Sequence, residues 1–273
     1  MNVRGIFGLR EIPAIALALV LVILIIGPLL SVFLWAFAEV WRYPSLLPTQ
    51  WGFRFWDMTL GRADVWSGLR TSLILSFAVT ALSALICLPA AYAFARMRFP
   101  GRQILMMSFL VTQAFPKFGL YIAIATIFLQ LDLVGTMTGV ILIQLLNTLL
   151  FMIWIPVGAF QAIDRRLEEA AQDVGATPLQ VFLRITIPQA RPAIGAALLL
   201  TFVSTFYETE GAWLIGTPHV RSMPVLMVTL INNQLVVQFG AVLSVLLWVP
   251  SFVMMLFARR ILSARTIASG FGA

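Results

Sequence analysis

The chain alternates long apolar runs with short polar connections. The runs cover about residues 12–37, 72–95, 103–131, 137–160, 192–215 and 239–262. Each matches the roughly 20 residues that a helix needs to cross the hydrocarbon of a bilayer. The pattern predicts an all-α polytopic membrane protein, a single transmembrane domain of six helices over residues 1–273 with lipid as its main solvent. The first run follows Arg4 and Arg10, as the core of a secretory signal would. It is longer than the 7–15 apolar residues of a signal and is closed by no small-residue cleavage site, so it is expected to be a retained anchor.

Basic residues then orient the spans, because Lys and Arg are enriched in short cytoplasmic connections. Twelve arginines fall on one side: Arg4 and Arg10, then Arg96, Arg98 and Arg102, then Arg165, Arg166, Arg184 and Arg191, and finally Arg259, Arg260 and Arg265. Five fall on the other: Arg42, Arg54, Arg62, Arg70 and Arg221. The bias places both termini in the cytoplasm and residues 39–69 outside. That outer segment holds Trp41, Trp51, Trp56 and Trp66, which suit a membrane interface. Contact with an external partner is the alternative.

Composition changes this picture little. The 273 residues are 61% hydrophobic and 11% charged, against about 45–50% and about 25% in soluble domains. The net charge of +7 follows from loop arginines, so no nucleic-acid partner is implied. Cys87 is the only cysteine, which excludes an intramolecular disulfide and suits a small packing residue. Lys117, in Phe115-Pro116-Lys117-Phe118, is the only lysine, and the glycine-rich phosphate loop that needs a lysine is missing. His219 is the sole histidine and has no Ser or Cys arranged with it as a triad. The chain carries no catalytic or metal-binding constellation and is expected to bind no cofactor itself.

The connection over residues 162–191 is heavily punctuated. Asp164 can cap a helix through Arg165, Leu167, Glu168, Ala170, Ala171 and Val174, and Gly175 can end it. Thr177, Pro178 and Gln180 then form a cap, a first helical position and a capping-box partner. A second short helix carrying Val181, Phe182 and Ile185 is expected to stop near Pro188. The segment is thus two capped helices with a fixed bend, either a structural hairpin at the interface or a rigid element that transmits force.

Glu169-Ala170-Ala171, then Gly175, then Ile185 and Ile187-Pro188 resemble the EAA signature of ABC importer permeases, with Ile187 where Leu is usual. The resemblance extends over the amino-terminal anchor, the long outer segment, the stretch Ala91–Gly101 and the last two spans. It implies a type I importer permease fold in a bacterial inner membrane, with the bent loop seated in a groove of an ATPase subunit. The ATPase-coupling residues implied are Glu168, Glu169, Ala170, Ala171, Gly175, Ala176 and Pro188. The partners implied are two cytoplasmic ATPase subunits that bind ATP and Mg, a second, related permease subunit, with a second copy of this chain as the alternative, and a periplasmic or lipid-anchored solute-binding protein.

Ser72, Ser76, Thr80, Ala84, Cys87 and Ala91 recur on one face of the second span, as helix-packing positions or as a pathway lining. Charges inside spans are costly unless they face water or a partner. Lys117 follows Pro116 in the third run, and Tyr207, Glu208 and Glu210 lie in the fifth. These four are candidate translocation-path residues, with Lys117, Tyr207 and Glu208 expected to approach one another. An external mouth or a charge-satisfying pair is the alternative. A carbohydrate-like or other small organic solute is expected. A polyamine or a small organic or phosphorus-containing ion is the alternative. Two other classes, an intramembrane enzyme and a passive channel, would need a catalytic group within the spans or flux without an ATPase.

Overall fold

The computed structural model describes residues 12–234 and 236–261. Arg4, Arg10 and Arg265, which contribute to the orientation argument, lie outside the described residues, as does the end of the sixth run. The chain divides into two compact units, one drawn from residues up to Ala63 with Met227–Trp248, the other from Asp64–Leu226 with residues from Val249 onward.

The first unit begins with α1 (Ile12–Ala36), exposed along its apolar length as a lipid-facing helix is. A short antiparallel pair follows, β1 (Ala38–Val40) with β2 (Gln50–Trp51), the one departure from an all-α chain among the described residues. The α2 helix (Arg54–Leu60) starts where the Glu39 carboxylate accepts the Arg54 N–H at 3.2 Å. Trp41 packs on Trp35 with ring centres 4.5 Å apart, and Trp56 stacks on Phe37 at 5.4 Å.

The second unit is built on α3 (Ala63–Arg96), whose 34 residues span about 51 Å, well beyond about 30 Å of hydrocarbon. Ser72, Ser76, Cys87 and Ala91 of its small-residue face are buried, with Ser83 beside them. The Ser83 hydroxyl meets that of Thr148 at 2.5 Å, and Ser72 accepts the N–H of Met223 at 2.8 Å. Small hydroxyls therefore bring helices close and satisfy helix ends.

The remaining elements are α4 (Arg102–Ala114), α5 (Lys117–Gln130), α6 (Met137–Leu149), α7 (Ile155–Ala162), α8 (Arg165–Asp173), α9 (Pro178–Val181), α10 (Ile187–Phe206), α11 (Met223–Gln234) and α12 (Val237–Ile261). Among the described residues five helices are long and apolar enough to cross a membrane, with a sixth if the bent pair α4–α5 is counted as one span. The expected continuous third span is thus broken, by 102° at Phe115-Pro116. Pro116 lacks an N–H and pushes Phe115 into extended backbone, with ψ at 144°.

The fifth span also differs from the sequence expectation. It runs from Pro178 to Phe206 as one continuous helix, so the second short helix does not stop near Pro188, and residues 207–215 fall past its end. A π-helical turn, Phe182–Thr186, precedes the helix that has Pro188 as its second residue. The same device, Leu150–Trp154, precedes Pro156 in α7. A π turn widens the helix where the proline ring would strike the preceding turn, so the axis continues.

Two buried clusters order this unit. Cys87, Ala91, Phe94, Met152, Val157, Phe160 and Ala197 pack near the residue 162–191 connection. Leu75, Tyr121, Val140, Ile143, Ala212 and Ile215 pack around a π-helical segment, Ala212–Gly216. Gly139 and Gly216 make that second contact possible: a Cβ on Gly216 would sit 3.0 Å from Val140 Cγ2, and one on Gly139 would strike the Leu133 carbonyl oxygen. Gly139→Ala is expected to lower the unfolding free energy of the purified subunit by about 2 kcal/mol through overpacking. Gly158→Ala, where a Cβ meets nothing within 4 Å, should leave it unchanged or higher. Thermal unfolding in detergent measures both.

Candidate functional site

The most ordered polar structure of the second unit lies at one end of its helices. Ile163 leaves α7 in extended backbone, and the Asp164 carboxylate accepts the Arg166 N–H at 3.0 Å to start α8. The end of α8 is a Schellman closure: Gly175 N–H donates to Gln172 O at 2.9 Å, and Ala176 N–H to Ala171 O at 3.0 Å. Gly175 has φ of +89°, a conformation that costs a side-chain-bearing residue about 1–2 kcal/mol. Thr177 and Gln180 then exchange both capping-box bonds, 3.3 and 2.9 Å, with Pro178 at the first helical position. The bend between α8 and α9 is therefore set by hydrogen bonds at both of its ends.

Glu168 anchors this bend. Its carboxylate, 6% exposed, accepts from Arg96 Nη2 at 3.0 Å and Nε at 3.2 Å, from Thr186 Oγ1 at 2.8 Å and from Tyr92 Oη at 3.4 Å. Arg96 Nη2 also donates to Ile163 O at 2.9 Å. Glu169, its neighbour on α8, is exposed. Successive helical residues point about 100° apart, so one glutamate faces the bundle and the other faces away. On the outer surface Leu167, Val174 and Leu179 are exposed, Val174 by 85%. Sequence reasoning counted Arg96 only as an orienting charge. Its place on the last turn of a span, 72 residues before an acid in a capped loop, was the available signal.

A second polar site lies where α10 ends. Glu208 follows the last turn and turns its carboxylate onto the next helical start: Oε1 accepts from Gly211 N at 2.6 Å, Oε2 from Ala212 N at 3.0 Å. Gln144 Nε2, from α6, donates to Oε2 at 3.0 Å. Three N–H donors thus share a negative charge placed at the positive end of a short helix. One turn along α6, Asn147 donates to the hydroxyl of buried Tyr121. Gln144 is 1% exposed, and its Oε1 has no hydrogen-bond partner.

Lys117 is exposed at the start of α5 and forms no ion pair with Glu208. Its neighbour Phe118 stacks on Trp213 at 6.2 Å, so the two segments meet through rings. Tyr207 and Glu210 are exposed beside Glu208. The Glu208 carboxylate is thus held by the Gln144 amide and two backbone N–H groups rather than by an ion pair with Lys117. Gln144 and Asn147 went unnoticed in the sequence, though two amides three residues apart in an apolar run mark one helix face.

Comparison with known proteins agrees with this architecture. The family model described as "Binding-protein-dependent transport system inner membrane component" matches residues 86–266. A putative ABC transporter permease protein, ORF1, of Streptomyces antibioticus is 32% identical over 194 residues, covering 71% of this chain and 82% of that protein. The maltose/maltodextrin transport system permease protein MalG of Escherichia coli (strain K12) is 31% identical over 193 residues, 63% of this chain and 64% of MalG. The chain thus spans somewhat less than two thirds of the length of MalG. Among solved structures, a bacterial ABC transporter involved in import of the acidic polysaccharide alginate superimposes with a TM-score of 0.74 at 18% identity, over 95% of this chain and all of that one.

Two substitutions probe the two sites. Gly175→Ala is expected to destabilise the α8–α9 bend by about 1 kcal/mol, about fivefold in local opening, read as faster amide exchange over residues 170–181. Glu208→Leu leaves three N–H donors unsatisfied, at about 1–3 kcal/mol each. It should lower the melting temperature of the purified subunit clearly more than Glu208→Gln, which keeps an acceptor oxygen.

Proposed function

Because the chain belongs to the family of binding-protein-dependent transport system inner membrane components, we propose that it is the permease of an ATP-driven importer of a carbohydrate-like solute. The observation that carries the coupling half of this reading is the capped bend over residues 164–181. It is held by Glu168 and presents Leu167, Val174 and Leu179 outward. A loop needs neither such rigidity nor an apolar outer face in water, whereas an element inserted in a groove of another protein needs both. The bend docks on a cytoplasmic ATPase, one per permease, so that two ATPases and a second permease complete a two-fold pore. Arg96, Arg165, Arg166 and Arg184 at this end support a cytoplasmic position for it. A solute-binding protein serves the opposite face of the bacterial inner membrane.

Alternating access follows from closure of the two ATPases on ATP. Their approach moves the bends, and the bends tilt the helices around a central path. The polar groups nearest that path are Gln144, Asn147, Tyr121 and Glu208, with Lys117, Tyr207 and Glu210 at its flank. Asn147, half-buried, and the exposed Tyr207 offer an amide and a phenol that match the hydroxyls of a sugar, while Gln144 and Tyr121, each 1% exposed, stand behind them. A polyamine is less well served, because the Glu208 carboxylate already accepts three N–H groups. The sugar assignment is also supported by what MalG and the alginate transporter are named for.

Val174→Asp and Leu179→Asp place charges on the docking face; Val174 is the C-cap residue of α8, but neither side chain belongs to the capping hydrogen bonds made by Asp164, Gly175, Ala176, Thr177 and Gln180. Each is expected to reduce the ATPase recovered with the affinity-purified subunit by about tenfold, the loss of one buried apolar contact. Undiminished recovery with both variants would remove the bend as the docking surface. Uptake by vesicles carrying the whole transporter, with a maltodextrin against a polyamine, tests the solute class.

A further inference from the structure

We infer that the buried Arg96–Glu168 pair is a positioning joint through which movement of the bend reaches two spans at once. The inference rests on the coupling role proposed above and names the residues that carry it. The pair is nearly sealed, with side-chain exposures of 9% and 8% at 3.0 Å. It is not an isolated bridge. The Glu168 carboxylate on α8 collects Arg96 and Tyr92 from α3 and Thr186 from the π turn that opens α10. Arg96 reaches Ile163 O at the exit of α7, and Arg165 donates back to Arg96 O at 3.3 Å. Four segments meet on two side chains.

Sliding α8 past α3 would strand a buried charge on each side, which is far more costly than moving the segments as one body. Exposed contacts around the bend are weak by comparison, since ion pairs in water contribute little. Force applied at the outer face of α8 is therefore delivered to the ends of α3 and α10, not absorbed by bending of the connection. Glu168 is turned inward, 6% exposed; it acts by fixing what Glu169, Val174 and Leu179 stand on.

The test uses the complete transporter in lipid vesicles with its binding protein, and reads solute imported per ATP hydrolysed for Arg96→Gln, Glu168→Gln and the double variant. Each single change is expected to lower that ratio by at least about tenfold while the ATPase stays bound, and the double to be no worse than either single. Ratios within about twofold of the unaltered transporter, or losses that multiply in the double variant, would overturn the joint. If the single variants do not assemble, Thr186→Val decides. It removes one hydrogen bond from Glu168 and keeps the ion pair, and is expected to lower the ratio about threefold. An unchanged ratio there reduces the pair to a folding element. Failure of the unaltered chain to retain any ATPase would instead sink the coupling role, whatever the variants do.

Discussion

A peptide N–H or C=O without a partner costs several kcal/mol in hydrocarbon, so a chain that interrupts its helices within a bilayer must supply the missing partners beside each interruption. The second unit meets that demand in different ways. After Phe206 the acceptor is a side chain, the Glu208 carboxylate, which takes the first free N–H groups of the next helical segment. Before Pro156 and Pro188 a π turn keeps the helix continuous across a residue that has no N–H. The glycines at 139 and 216 then let the interrupted segment lie close against α6. Helix packing, the polar cluster at Gln144 and the direction of α10 follow from how those breaks are satisfied.

The same economy governs the charged end of the bundle. A carboxylate sealed to 6% exposure survives only with its lone pairs occupied, and Glu168 has a guanidinium and two hydroxyls directed at it. Its neighbour Glu169 remains in water. Two adjacent acids of one sequence pair therefore do different work, one joining segments of this chain and one available to another protein. The signature that resembles a docking motif contains within it a fastening between segments of its own chain.

Much of this was legible in the chain. Span number and the caps at Asp164, Gly175 and Thr177 depend on local rules, namely run length, carboxylate caps and glycine at positive φ, and the structure has them where the residues put them. Span boundaries were less legible. Local proline rules make Pro188 the end of one helix and Pro192 the start of another, whereas a π turn before Pro188 carries one helix through both. The small-residue face of α3 was visible as spacing, while Ser83 against Thr148 required knowing which helix comes alongside. Long-range pairs such as Arg96 with Glu168 and Gln144 with Glu208 join residues 72 and 64 positions apart. Periodicity carries no information at that separation, so Glu208 was legible as a charge within an apolar run while its partner Gln144 was not.

The unbroken helix from Pro178 to Phe206 has one more implication. Its 29 residues make a rod of about 43 Å, tied to Glu168 by Thr186 about 12 Å from one tip and finishing, at the other, two residues before Glu208. A rod fastened in that way is a lever arm. Rocking it about Thr186 through a tenth of a radian would carry the far tip, on an arm of about 30 Å, by about 3 Å. A small displacement of the short arm would thereby be multiplied at the end of the helix next to Glu208, which Gln144 binds.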